Sequence, residues 1–142
     1  MNEEKQLQLL ERLRRPEGRV DVVLDTDTYN EIDDQFALAY LIKSADKLNL
    51  KAIYAAPFFN EKSEGPADGM EKSFQEIHHI LNLMGKEEEY GKVVYRGSTS
   101  YLSSETEPVR SDASEHLAGL AMQYTPDKPL YVVALGAITN VA

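Results

Sequence analysis

The chain has 142 residues, 42% of them hydrophobic and 27% charged, with a formal net charge of -9. These proportions suit a globular domain able to bury a core, and the acidic balance argues against nucleic acid or an anionic membrane as a main partner. No cysteine is present, which excludes disulfides, zinc-thiolate centres and cysteine nucleophiles, and no leader-like or membrane-length apolar run is visible, so the expected location is cytoplasmic.

In the first segment Leu7, Leu10 and Leu13 recur at three-residue spacing, with glutamates before them and Arg12, Arg14 and Arg15 towards the end. That order suits a helix dipole and predicts an amphipathic helix over 3–15, stopped by Pro16 and Gly18. Residues 1–18 are therefore read as a helical extension on the outside of a single α/β domain spanning 1–142. Val20 to Leu24 is a short β-branched run with the character of a buried strand. A loop from Asp25 to Ile32 leads into a predicted helix, Asp33 to Ser44, with Phe36, Leu38, Ala39, Leu41 and Ile42 on one wide face. Asp33 and Asp34 occupy its first turn, where carboxylates are favoured.

The alternation continues. Lys51–Ala56 reads as a second strand, 67–84 as a helix broken by Gly85, and Val93–Tyr95 as a short third strand. Ser111 or Asp112 is placed to cap a helix reaching Gln123, and Leu130–Leu135 reads as a fourth strand. Strands alternating with helices predict an α/β fold with an open, mostly parallel sheet and flanking helices. Ligands of such sheets bind outside the carboxyl ends of the strands. The segments expected there are Asp25–Asp34, Pro57–Asn60, Arg96–Ser100 and Leu135–Asn140. Thr139–Ala142 reads as the start of a helix directly after a strand, the expectation being a truncated βα unit.

Asp25 to Asp34 holds five acidic groups in ten residues. Two unit charges about 4 Å apart repel by roughly 4 kcal/mol at an effective dielectric of about 20. Converging carboxylates must therefore splay into water, take up protons or bind a cation. No Lys or Arg lies between Asp21 and Lys43. Hard oxygen ligands select calcium or magnesium, and a cation makes a neighbouring water more acidic and open to a carboxylate base. The spacing is not that of an EF-hand, which needs Gly at its sixth position.

Val22-Val23-Leu24-Asp25-Thr26-Asp27, followed by Asp33-Asp34-Gln35-Phe36-Ala37-Leu38, resembles the N-terminal aspartate motif of the inosine-uridine nucleoside hydrolase family. Val133-Ala134-Leu135-Gly136-Ala137-Ile138-Thr139-Asn140 is similar to that family's strand and Gly-x-x-Thr-Asn turn. The resemblance runs from about Val20 to the last residue and implies a Rossmann-like fold and a calcium-assisted N-ribosyl hydrolase of the salvage type. It makes Asp27 both a calcium ligand and the general base, Asp34 a second ligand, and the Leu135 backbone carbonyl a third. Asp33 and Asn60 are then ribose contacts, and Asp25 supports the site. A small-molecule nucleoside is the implied partner, and self-association into a homo-oligomer is implied as well. The loop Thr28–Ile32 is two residues longer than the family's usual Pro-Gly-x and brings Asn30 to the site as a further candidate. Family members are about twice as long, and their C-terminal half supplies another calcium-binding aspartate and a histidine, so an incomplete site is expected of these residues alone.

Three other readings compete. Leu24-Asp25-Thr26-Asp27-Thr28 also resembles the first motif of haloacid-dehalogenase-like phosphatases, with Asp25 as nucleophile, Asp27 as acid/base and magnesium as the metal. A receiver-like domain needs an acceptor aspartate after the third strand, where Arg96 and Gly97 stand instead. A non-catalytic metal-binding fragment is the third. Outside the loop, His78, His79 and His116 are read as helix-surface or core-edge residues. Tyr29, Phe58 and Phe59 are read as loop packing or base-stacking rings, and Arg96 as a partner for surface acids.

Overall fold

Four short runs of β-branched and aliphatic residues form the strands: β1 (Val20–Thr26), β2 (Leu48–Ala55), β3 (Val94–Arg96) and β4 (Tyr131–Ala134). In this computed structural model, which describes residues 3–142, they pair in the order β3-β2-β1-β4, and every pairing is parallel. Among the described residues the α-helices are α1 (Glu3–Arg12), α2 (Ile32–Lys43), α3 (Pro66–Leu83), α4 (Glu87–Tyr90) and α5 (Asp112–Ala121). The fold is thus α/β, an open all-parallel sheet flanked by helices, with a Rossmann-like strand order. Among the described residues no helix is long and apolar enough to cross a membrane.

Side-chain alternation along β1 divides the core into two layers. Val22 and Leu24 point to the side covered by α2 and α3, where they meet Leu38, Leu41, Ile42, Ile53, Ile77 and Leu81. Val23 faces the other side and packs with Ala52, Tyr54 and the α5 residues Ala113 and Leu117. Each fully buried aliphatic side chain contributes about 1.5–3 kcal/mol, so the sheet is clamped from both faces. By the same alternation Asp25 belongs to the α5 side and Thr26 to the α2 side.

The helices begin for different local reasons. Ser111 caps α5 through a reciprocal box, accepting from the Ser114 N–H at 3.1 Å while its own N–H donates to Ser114 Oγ at 2.8 Å. Glu31 precedes α2 without a side-chain cap, and Asp33 and Asp34 occupy the first turn with Lys43 in the last, a charge order that complements the helix dipole.

One sequence expectation needs correction. Phe36 is not on the buried face of α2: it is 68% exposed, beside Tyr40. The buried face carries Asp34, Leu38, Leu41 and Ile42, spaced i, i+4, i+7, i+8, and Phe36 falls on the opposite side of a 3.6-residue turn. The charge run Lys86–Glu89 leads into the short helix α4, and Glu87 from it pairs with His78 at 2.8 Å. Other boundaries shift by a few residues, as fraying ends and caps permit.

Candidate functional site at the carboxyl end of the sheet

The strand order reverses direction between β1 and β4, both of which leave the sheet at the same end. Such a switch point opens a crevice beyond the strand ends. β1 delivers Asp25, Thr26 and Asp27 there. Leu135, just past β4, donates its N–H to the Asp25 carbonyl at 2.9 Å, which holds the Leu135–Gly136 turn against the end of β1.

Asp25 is completely buried. Its Oδ1 accepts from Asn140 Nδ2 at 2.8 Å, and its Oδ2 is buried with no hydrogen-bond partner among the described residues. Burial pushes its carboxyl up to about 6, the Asn140 bond opposes the rise, and the neighbouring Asp27 charge adds to it. Asn140 is itself buried and acts as a hub. Its Oδ1 accepts from the Ser98 N–H at 2.7 Å, Ser98 Oγ at 2.9 Å and Ser111 Oγ at 3.3 Å. Its Nδ2 also reaches the Ala55 carbonyl at 3.2 Å. One amide therefore ties together the ends of β1 and β2, the turn after β3 and the cap of α5.

Asp27 is 6% exposed and its two oxygens differ. Oδ2 accepts from Asn30 Nδ2 at 2.9 Å. Oδ1 lies against the backbone of Gly136, so closely that a Cβ added there would stand 2.6 Å from it. A side chain at position 136 would force that carboxylate to shift. On the other side of β1, Thr26 Oγ1 donates to Asp34 Oδ1 and shares a hydrogen bond with Thr28 Oγ1 at 3.0 Å. Burial raises the Asp34 carboxyl, the Thr26 bond lowers it, and the charges of Asp27, Asp33 and Glu31 raise it further. Asp33 is exposed on the first turn of α2.

The loop Thr28–Ile32 folds as a turn, with the Asn30 N–H on the Asp27 carbonyl at 2.7 Å. Asn60, after β2, donates from Nδ2 to Asn30 Oδ1 at 2.6 Å. Tyr29 stacks on the buried Phe58, ring centroids 6.4 Å apart and 20° between planes, while Phe59 is 61% exposed. The structure thus assembles Asp25, Asp27, Asn30, Asp34, Asn60 and the Leu135 turn around one strand end. It also brings in Asn140, Thr26, Thr28 and Ser98, which were not singled out from the sequence. Asn140 stood in the quoted Gly-x-x-Thr-Asn turn, the one signal that pointed to it.

Among the described residues no ion pair joins Asp25, Asp27, Asp33 or Asp34 to a basic side chain. Among the described residues no group of three or more acidic or histidine side chains is set together as a metal shell. The donors available are hard oxygens, which is calcium or magnesium chemistry, and the orphaned Asp25 Oδ2 marks buried negative charge without a countercharge. The site is suited to contribute part of a cation shell.

The other sequence candidates make no bond to the aspartates among the described residues. His116 Nδ1 meets the Tyr54 hydroxyl at 2.9 Å and its ring stacks on Tyr95 at 4.1 Å, with burial lowering its proton affinity. His78 packs on Phe74, and His79 is exposed. Arg96 forms two bonds to Glu71, at 2.8 and 3.0 Å, and lies over the Phe74 ring at 3.8 Å. No protein-family model, curated protein or solved structure matches this chain.

Proposed function

We propose that the chain carries the aspartate half of a nucleoside hydrolase-like site, which hydrolyses the N-glycosidic bond of a ribonucleoside in a cytoplasmic salvage setting. The observation that carries this reading is Asp27: a nearly buried carboxylate at the sheet's switch point, one oxygen tethered by Asn30 and the other against Gly136. A general base needs such a fixed carboxylate within reach of a water. Asp27 would accept the proton of a water whose oxygen bonds to the anomeric carbon, while the base departs with the electrons of the broken C–N bond. On this reading Asp33, exposed on the first turn of α2, would contact the ribose. Asp25 would support the site from the end of β1, and its unpartnered Oδ2 favours a cation or a proton nearby.

Asp27, Asp34 and the Leu135 carbonyl would hold calcium, which when bound supplies Lewis acidity for the water and the ribose hydroxyls. The phosphatase alternative ranks second, because Asp25 is fully buried with Oδ1 engaged by Asn140, a poor disposition for an attacking nucleophile. The deciding experiment is base release from a panel of ribonucleosides with calcium present, for the wild type and Asp27→Ala. Release lost in the variant upholds the reading. Calcium binding without base release from any nucleoside replaces it with a non-catalytic cation-binding module.

A further inference from the structure

Both polar atoms of the Asn60 side chain are engaged within the protein. Its Nδ2 is given to Asn30 Oδ1 at 2.6 Å, and its Oδ1 accepts the Lys62 N–H at 2.9 Å. Asn30 in turn spends its Nδ2 on Asp27 Oδ2 at 2.9 Å. The Lys62 ammonium closes the ring by donating to the Asn30 carbonyl, and the Lys62 carbonyl is held by Lys72 Nζ at 2.9 Å. Every amide in this chain is polarised in one direction, from the loop after β2 towards the carboxylate at the end of β1. Lys62 makes no ion pair among the described residues, although acidic side chains crowd the neighbouring loop.

We propose that Asn60 and Lys62 are positioning residues: through Asn30 they fix the Asp27 carboxylate, committing Oδ2 to the tether and leaving Oδ1, in the crevice beside Gly136, as the oxygen that meets water or a cation. This rests on the reading of Asp27 as the site carboxylate, and it reassigns Asn60 from a ribose contact to a support of Asp27. The two extra residues of the Thr28–Ile32 loop then have a purpose, since the longer loop carries Asn30 to the middle of the relay. Second-layer partners of this kind are worth roughly 10- to 100-fold in metal affinity or activity.

Charge and position predict opposite signs for Lys62, which makes the test sharp. Removing a cation near an acidic cluster strengthens calcium binding if electrostatics is all that Lys62 contributes. Calcium titration calorimetry of Lys62→Met should instead show affinity weakened by roughly tenfold or more. Asn60→Ala should weaken it similarly, the double variant should fall short of the product of the two, and Lys62→Arg should retain most of the affinity. Tightened or unchanged binding in Lys62→Met overturns the proposal. If the wild type binds no calcium, the cation part of the proposed function fails, and hydrogen exchange of the Thr28–Ile32 segment decides this inference by itself. Faster exchange there in Lys62→Met and Asn60→Ala, with β1 and β2 peptides unaltered, supports the relay. Exchange equal to wild type overturns it. Where nucleoside turnover is measurable, Asn60→Ala should lower kcat. A rise in KM at unchanged kcat would restore the direct ribose contact.

Discussion

Strand β1 carries an aspartate near each end, both on the α5 side of the sheet, and their surroundings could hardly differ more. Asp21, at the amino end, accepts from Asn49 Nδ2 at 2.5 Å and from the Tyr124 hydroxyl at 2.8 Å. The Asn49 bond above all, helped by Tyr124 and the charges of Lys51 and Lys128, holds its carboxyl below the ordinary range against the opposing effect of burial. Asp25, four residues on, is buried with one oxygen unpartnered and its carboxyl pushed up to about 6. The same residue type on the same strand is satisfied at one end and left in electrostatic want at the other. An ionised carboxylate kept in that state costs stability, and proteins retain such costs chiefly where a site needs them. The contrast separates a structural carboxylate from one belonging to the site.

The largest effect expected from disturbing the site end falls on chemistry. Asp27→Ala should reduce nucleoside hydrolysis by about 10²- to 10⁴-fold, the usual worth of a general base, with the melting temperature little changed. Ribose release assays with calcium read it directly. An unaltered rate would remove Asp27 from the chemistry and leave the acidic end of β1 without its proposed purpose.

Asn140→Ala comes next, and its main effect is on stability. The substitution strands the Ser98 N–H, the Ala55 carbonyl and Asp25 Oδ1, all buried. At about 1–3 kcal/mol for each unsatisfied group, partly relieved by relaxation, a loss of roughly 4 kcal/mol is expected in urea unfolding. A loss below about 1 kcal/mol would mean that water replaces the amide and that Asn140 is not the hub its bonds suggest.

How far the two ends were legible in the sequence follows from the range of the interactions involved. The strands and their parallel order came from short β-branched runs alternating with helical periods, signals that reside within a few consecutive residues. Asp25 and Asp27 stood out because they directly follow such a run. Phe36 was misplaced because a helix with many apolar residues has an ambiguous buried face until the sheet selects one. Asn140 depends on partners at Asp25, Ala55, Ser98 and Ser111, far apart in the chain, and no local pattern reports that convergence. The Asn60–Asn30 bond is likewise a contact between two loops, fixed only once β1 and β2 lie in register. At the amino end, Tyr124 reaches Asp21 across more than a hundred residues, equally invisible beforehand.

Asp25→Asn should act in the opposite direction from most buried substitutions. The native carboxyl, raised from 3.8 to about 6, binds its proton more tightly than the unfolded chain does. Stability from this group is therefore greatest below about pH 4, declines as pH rises towards 6, and stays at its lowest above that. The shift corresponds to a cost of up to about 3 kcal/mol at pH 8. Asparagine keeps an oxygen for Asn140 and cannot ionise. The variant should be more stable than wild type at pH 8 with a chelator present, and the gain should vanish near pH 4. A destabilised variant at pH 8 would show that Asp25 ionises at little cost, erasing the difference between the two ends.

Tyr124→Phe is the mild counterpart at the amino end, and its pH dependence should run the other way. Removing the hydroxyl deletes one of two side-chain hydrogen bonds to Asp21, whose carboxylate is only partly buried and retains Asn49. Solvent takes up part of the lost bond, so about 1 kcal/mol is expected at pH 7. Because the native Asp21 carboxyl is held below its ordinary value, its stabilisation is present above the unfolded value and is lost as pH falls through the native one. The difference between Tyr124→Phe and wild type should therefore shrink in acid, where Asp25→Asn also loses its effect but from the opposite sign. Urea midpoints of both variants across pH 3 to 8 would converge on wild type from above and below. If the Tyr124→Phe deficit instead grew in acid, the hydroxyl would be serving the protonated acid or the packing around it, and Asp21 would not be the satisfied carboxylate against which Asp25 is judged.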